Sequence, residues 1–245
     1  MKKFWKWRNV SVKNESGGEV SVRELRIDGA IADESWFDDD VTPELFRAEL
    51  NSGYGDIVLW INSPGGDCFA AAQIYTMISE YKGKVTVKID GIAASAASVI
   101  AMAGDVVQMS PVANMMIHNP ATIAWGDQRE MRHQADVLDE IKESIINAYE
   151  RKTGLSRTRL AKLMDEETWL SAHKAVKLGF ADEIIGGNDD NEDENAQNDV
   201  MFSQKMTDRA IVNRIREKSG KTETGNGVIS CKEARSRLEL IEKII

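Results

Sequence analysis

The order of apolar segments predicts an α/β protein built on a largely parallel, helix-flanked sheet. Two short runs carry most of that expectation: IVLWI at 57–61 and the alternating KVTVKI at 84–89. Each is followed, after a turn of small residues, by a stretch with helical spacing. IVLWI has almost no polar interruption, the pattern of a strand buried on both faces. Strand, helix, strand, helix with short joints closes into such a sheet through right-handed crossovers.

Taken in order, Glu24–Asp28 is strand-like, and DESWFDDDVTPELFRAELNS offers a cap and then a helix around 42–51. IVLWI leads into the turn NSPGG and a helix over 68–81, with Ala71, Ile74, Ile78 and Tyr81 on one face. KVTVKI runs into GIAASAAS (91–98), where a helix begins near Ala94. VVQMS and ANMMIH supply two more short strands. The segment 126–154 is a long polar helix with a thin apolar stripe at Val137, Leu138, Ile141, Ile145 and Tyr149.

Residues 1–185 therefore form one α/β unit. The composition then changes: GGNDDNEDENAQNDV (186–200) holds six acidic residues and no basic one, and reads as a disordered acidic linker. Two helical candidates follow, 201–218 and 229–245, separated by SGKTETGNG. Leu238, Ile241 and Ile245 give the last one an apolar stripe suited to docking, on its own domain or on a partner.

Composition narrows the function. At 245 residues and 42% hydrophobic content the chain buries a real core, and no stretch is long and apolar enough to span a bilayer, so no membrane role is expected. MKKFWKWRNV lacks the apolar core of a signal peptide. Cys68 and Cys231 lie far apart, which fits a reducing, cytoplasmic compartment better than a disulfide framework. The sequon at Asn14-Glu15-Ser16 then carries no meaning. A net charge of −9 argues against a nucleic-acid partner. His118, His133 and His173 are scattered and no CxxC or HExxH occurs, so no metal is expected. SGKT at 219–222 imitates the end of a phosphate-binding loop, but Ile215 stands where its first glycine belongs.

Nucleophilic chemistry has candidates, each of which also has an ordinary packing or turn reading. Ser95 sits a few residues after a buried strand, near the first turn of a helix, where unpaired N–H groups favour developing negative charge. Ser98, one turn deeper, reads as packing. A serine needs a base, and His118 in MMIHNP ends an apolar strand, where sites of α/β folds gather. His133 and His173 lie in charged helical surroundings and read as surface residues. MDEETWLSA (164–172) offers Asp165, Glu166 and Glu167 as acids to orient an imidazole, and spacing alone does not choose among them. The glycines of Asn62-Ser63-Pro64-Gly65-Gly66 let backbone approach a substrate closely. The N–H of Gly65 and that of Ala96, just after Ser95, form a candidate oxyanion pair.

The order INSPGGD, GIAASAAS, MMIHNP, MDEETWLSAHKAVKLGFADEI, running from about 24 to 185, strongly resembles the ClpP family of serine peptidases. The resemblance implies the ClpP/crotonase-like fold of repeated ββα units, a closing helix and strand at AVKLGFADEI, and a long handle helix at 126–152 through which heptameric rings pair. It matches Ser95 to the nucleophile, His118 to the base, Gly65 and Ala96 to the oxyanion hole, and Glu167 to the orienting acid. That acid is normally an aspartate, so Asp165 stays as the alternative. No cofactor is implied, and the peptide-bond chemistry is ATP-independent. The acidic linker and tail are foreign to a housekeeping ClpP. With them the layout looks more like the ClpP-related head-maturation (prohead) proteases of bacteriophages and prophages, whose substrates are scaffold and capsid proteins. The rival readings are a housekeeping subunit fed by an AAA+ unfoldase, a catalytically silent capsid-assembly component, and a crotonase-like acyl-CoA protein.

Overall fold

The computed structural model describes residues 8–13, 19–33 and 41–187. The linker expected over 186–200, apart from Gly186 and Gly187, and the tail expected over 201–245 lie outside the described residues. An eight-stranded sheet organises the rest. In chain order the elements are β1 (Arg8–Lys13), β2 (Glu19–Asp28), α1 (Pro43–Leu50), β3 (Ile57–Ser63), α2 (Cys68–Ser79), β4 (Val85–Ala94) and α3 (Ala96–Ala101). Then come β5 (Val106–Met109), β6 (Asn114–Ile117), α4 (Gln128–Thr153), α5 (Arg157–Asp165), β7 (Thr168–Ser171), α6 (Ala172–Leu178) and β8 (Glu183–Ile184).

The main path runs β1-β2-β3-β4-β5-β8. Strands β2 to β5 and β8 are parallel, and β1 adds an antiparallel edge on β2. The parallel core is the expected α/β sheet. The β1 edge, strand β7 and helix α5 go beyond that expectation.

Strand β4 changes partner along its length. Its first half pairs β5, Thr86 to Val106 through Ile89 to Met109. Its second half pairs β6, Ile92 to Asn114 through Ala94 to Met116. Between the halves β4 carries two more residues than β3, because Ile61 faces Ile89 while Ser63 faces Ala93. Gly91 lies in that irregularity. A Cβ there would sit 2.5 Å from Asn62 Oδ1, so a larger residue would force Asn62 aside. The extra residues bend β4 toward β6, as a bulge does.

One face of the sheet forms the core. Ile57, Leu59 and Ile61 of β3 and Val85, Val87 and Ile89 of β4 are all buried, against Ala70, Ala71, Ile74 and Ile78 of α2. The other face corrects an expectation: Val58 and Trp60 are half-buried, not sealed. There Trp60 lies under Lys88, whose Nζ is 5.4 Å from the ring centroid, and Arg26 bridges Asp28 and Asp90. A continuous apolar run therefore alternates in burial within the single chain, because among the described residues only one face has helices on it.

Helix ends follow the residues that start and stop them. Asp67 caps α2 by accepting from Ala70 N at 2.7 Å, and Asp127 caps α4. Gly154, with φ 69°, ends α4 in the left-handed conformation that glycine tolerates. At 26 residues α4 is about 39 Å long at 1.5 Å per residue. Its C-terminal third is anchored: Tyr149 is buried edge-on against Phe180, with centroids 5.5 Å apart. Lys152 Nζ reaches Asp182 at 2.7 Å. Toward its N-terminus Val137, Leu138 and Ile141 stay half-exposed. No helix among the described residues is long and apolar enough to cross a membrane.

Candidate active site

The partner change in β4 decides where the chemistry can sit. Because β6 lies parallel to the end of β4, the residues that follow these two strands emerge side by side. Those residues are Ser95, after Ala94, and His118, after Ile117. The ladder continues one step beyond β4, with Ser95 N donating to Met116 O at 2.8 Å. Ser95 Oγ and His118 Nε2 are 2.7 Å apart, and both residues are half-buried.

Local backbone explains why the serine side chain faces the imidazole. Ser95 occupies the cap position of α3, where a serine would ordinarily bond an N–H of the first turn. Here it adopts φ 53°, ψ −126° and its side chain makes no cap bond. The carbonyl takes over that duty, accepting from Ser98 N at 2.9 Å. Among the described residues Ser95 and Glu167, at φ 48°, are the two with a side chain and a positive φ. Such backbone costs of order 1–3 kcal/mol at each position and collects at functional sites. It falls on two of the residues that the sequence singles out.

Gly65 packs directly on this turn. A Cβ on it would lie 2.6 Å from Ala94 O, 2.8 Å from Ser95 Cβ and 3.0 Å from Ala96 N. Its φ of 94° is likewise open to glycine. The structure thus brings both members of the expected oxyanion pair, Gly65 and Ala96, to the serine. Gly65 N, however, donates to Ser63 Oγ at 3.1 Å. Its neighbour Gly66 bridges Ile31 in a way that uses the Gly65 carbonyl and the Asp67 amide. That leaves the Gly66 N–H with no hydrogen bond among the described residues. This second glycine of NSPGG carries an N–H that nothing in the sequence singles out from its neighbour's.

The two candidate acids differ in their partners. Asp165 Oδ1 accepts from Lys142 Nζ at 2.6 Å and from Asn119 Nδ2 at 2.8 Å. These bonds, the Lys142 one foremost, hold the Asp165 carboxyl below the usual carboxylate range. Glu167 accepts from Trp169 Nε1 at 3.4 Å. The His118 Nδ1 atom, the one an orienting acid would serve, is buried. Glu166 pairs loosely with Lys162, at 3.8 Å, on the α5 surface. His133 and His173 are exposed, as expected.

Ser98 is more than filler. It is fully buried, and its hydroxyl donates to Ser95 O at 2.6 Å while lying 2.8 Å from Tyr149 Oη. Sequence carried no signal for this contact, because Tyr149 also fits the apolar stripe of α4. Burial pushes the Tyr149 phenol well up, so it keeps its proton.

A hydroxyl hydrogen-bonded to an imidazole, next to backbone amides on a helix start, is the equipment of a serine hydrolase. Comparison with known proteins narrows that class. Residues 20–188 match the family described as Clp protease. The chain is 33% identical over 147 residues to the ATP-dependent Clp protease proteolytic subunit 1 of Chlamydia muridarum, covering 58% of this chain and 76% of that one. Against the ATP-dependent Clp protease proteolytic subunit of Deinococcus radiodurans it is 27% identical over 154 residues, 62% of this chain and 76% of that one. The chain belongs to the Clp protease family. It is a serine peptidase, an enzyme that hydrolyses peptide bonds.

Proposed function

We propose that Ser95 is the nucleophile, His118 the general base, and Glu167 the acid that orients His118. The observation that carries the reading is the 2.7 Å contact between Ser95 Oγ and His118 Nε2. Ser95 Oγ attacks the scissile carbonyl carbon as its proton passes to His118 Nε2. The C–N bond then breaks, and the same proton goes to the leaving amine. Water, deprotonated by His118, releases the acyl group from Ser95 in the second half-reaction. The oxyanion takes hydrogen bonds from Ala96 N–H and from the Gly65–Gly66 turn. Gly65 would first exchange its bond to Ser63, whereas Gly66 has its N–H in hand. Glu167 is preferred to Asp165 because Asp165 already serves Lys142 and Asn119, and because strained backbone marks Glu167.

The chain works as a ring of copies, heptameric by resemblance, paired through α4. Supporting this are the half-exposed Val137, Leu138 and Ile141 on α4 and the half-open sheet face at Trp60. Residues 1–185 are the peptidase domain, 186–200 a linker and 201–245 an assembly or scaffold-docking tail. The substrates are phage scaffold and capsid proteins, cut during head maturation in the host cytoplasm. The acidic linker and the tail support that assignment. A second reading has its own support in the relatives' names, which describe ATP-dependent proteolytic subunits. In it the ring receives its substrate from an AAA+ unfoldase.

A fluorophosphonate probe and intact-mass analysis of the wild-type chain and of Ser95→Ala test the mechanism. Wild type gains one adduct and Ser95→Ala gains none; equal labelling of both refutes the nucleophile. Degradation of a folded substrate only with an added ATPase would favour the second reading.

A further inference from the structure

Beneath the nucleophile lies a chain of two hydroxyls whose proton arrangement has one solution. Ser95 O is a carbonyl and only accepts, so the single Ser98 hydroxyl proton is committed to it, at 2.6 Å. Between Ser98 Oγ and Tyr149 Oη, 2.8 Å apart, the phenol must then be the donor. The relay therefore runs from Tyr149 O–H to Ser98 O–H to the Ser95 carbonyl. A second bond, from Ser98 N at 2.9 Å, reaches the same carbonyl.

The Ser95 carbonyl and the Ala96 N–H belong to one peptide unit. In a planar trans peptide the N–H points opposite to the C=O. Whatever fixes the carbonyl also aims the N–H, and a carbonyl that accepts hydrogen bonds polarises its own amide into a better donor. Resting on the reading of Ser95 as nucleophile, we propose that Tyr149 and Ser98 are positioning residues that aim and strengthen the Ala96 N–H at the oxyanion. Tyr149 sits on α4 and Ser98 on α3, so the relay also makes the seating of α4 a condition for an active turn at Ser95. Ser98 and Tyr149 are both buried at 1% exposure or less, so solvent does not substitute for a missing hydroxyl.

The test uses the full chain with a fluorophosphonate probe and with p-nitrophenyl butyrate. Both reagents place an oxygen where the oxyanion forms. Tyr149→Phe deletes one oxygen and keeps the ring that packs on Phe180. Rates are normalised to the end-point of probe labelling, so that misfolded material is not counted. Tyr149→Phe should slow labelling and ester kcat about tenfold with KM unchanged, the scale of a sub-ångström misalignment. Ser98→Ala should slow them at least as much. The double variant should match Ser98→Ala, because Tyr149 acts through Ser98. Normalised rates equal to wild type overturn the proposal, whatever the melting temperature does, and so do additive losses in the double variant. If Tyr149→Phe does not fold, the rates of Ser98→Ala decide the proposal alone. Ser95→Ala must abolish labelling; persistent labelling there refutes the nucleophile itself, a result distinct from an intact nucleophile with an idle relay.

Discussion

Gly65→Ala is the sharpest test of how closely the NSPGG turn and Ser95 are packed. The new Cβ would meet Ala94 O at 2.6 Å, about 0.7 Å inside an ordinary C···O contact. It would also meet Ser95 Cβ at 2.8 Å and Ala96 N at 3.0 Å, so the groups that must give way are the ends of β4 and α3. Holding alanine at φ 94° adds about 1–2 kcal/mol, and overpacking about 1–3 kcal/mol more. The sum, about 2–5 kcal/mol, lowers the melting temperature by roughly 5–15 °C for a domain of this size and leaves most chains folded. Activity falls further. A displacement near 1 Å at a reacting centre costs about 100-fold, or about 2.7 kcal/mol of transition-state stabilisation. Ester hydrolysis and fluorophosphonate labelling per folded chain measure this, with a thermal melt on the same sample. Hydrolysis within threefold of wild type, alongside the expected drop in melting temperature, would refute the claim that Gly65 shapes the reacting centre.

Three other substitutions separate roles within the molecule. Glu167→Ala should lower kcat by about 100-fold or more, while Asp165→Asn stays within about threefold of wild type; equal losses would remove the assignment of Glu167. Because the Asp165 pKa is depressed in the fold, its ion pair contributes stability above the ordinary carboxylate pKa of about 3.9 and loses it as pH falls through the depressed value. The melting curves of wild type and Asp165→Asn should therefore differ at neutral pH and converge in strong acid. Arg23→Met should cost about 2–4 kcal/mol in thermal or urea unfolding without changing kcat per folded chain. Arg23 is buried at 8% exposure and donates to the carbonyls of Glu49 and Leu50, at 2.9 Å and 3.3 Å, which end α1.

The parallel core was legible because IVLWI and KVTVKI have strand length, strand composition and turns of small residues after them. Ser95 and His118 were legible as candidates because His118 directly follows the apolar MMI and Ser95 stands a few residues past KVTVKI. Strand β4, however, runs on to Ala94, where the sequence suggests a helix start. What stayed hidden was pairing. Nothing in VVQMS and ANMMIH says that both lie beside β4, one on each half, yet that arrangement puts His118 at Ser95. The β1–β2 edge had a signal in the valine alternation of NVSV and EVSV, but its polar residues look like loop. TWLS was too short to read as a strand, and its pairing with β6, from Asn114 to Ser171 through Ile117 to Thr168, is non-local. Hydroxyl networks were the least legible: Ser98 and Tyr149 stand 51 positions apart, and each has an ordinary packing role locally.

The split pairing of β4 turns the distance between Ser95 and His118 into a constant of the sheet. Neighbouring strands are spaced by about 4.8 Å wherever backbone ladders form, and Ser95 and His118 are seated on two such neighbours. Between Ser95 and the start of β6, residues Ala96–Ala113 hold helix α3, strand β5 and two turns. That excursion can vary in length or composition without altering the gauge, provided the three-residue ladder from Ile92 to Ala94 stays in register. A slip of one residue in the same short ladder would turn each side chain to the opposite face. The contact between Ser95 and His118 is thus tolerant of changes in the loops and intolerant of a single step in the hem of one strand.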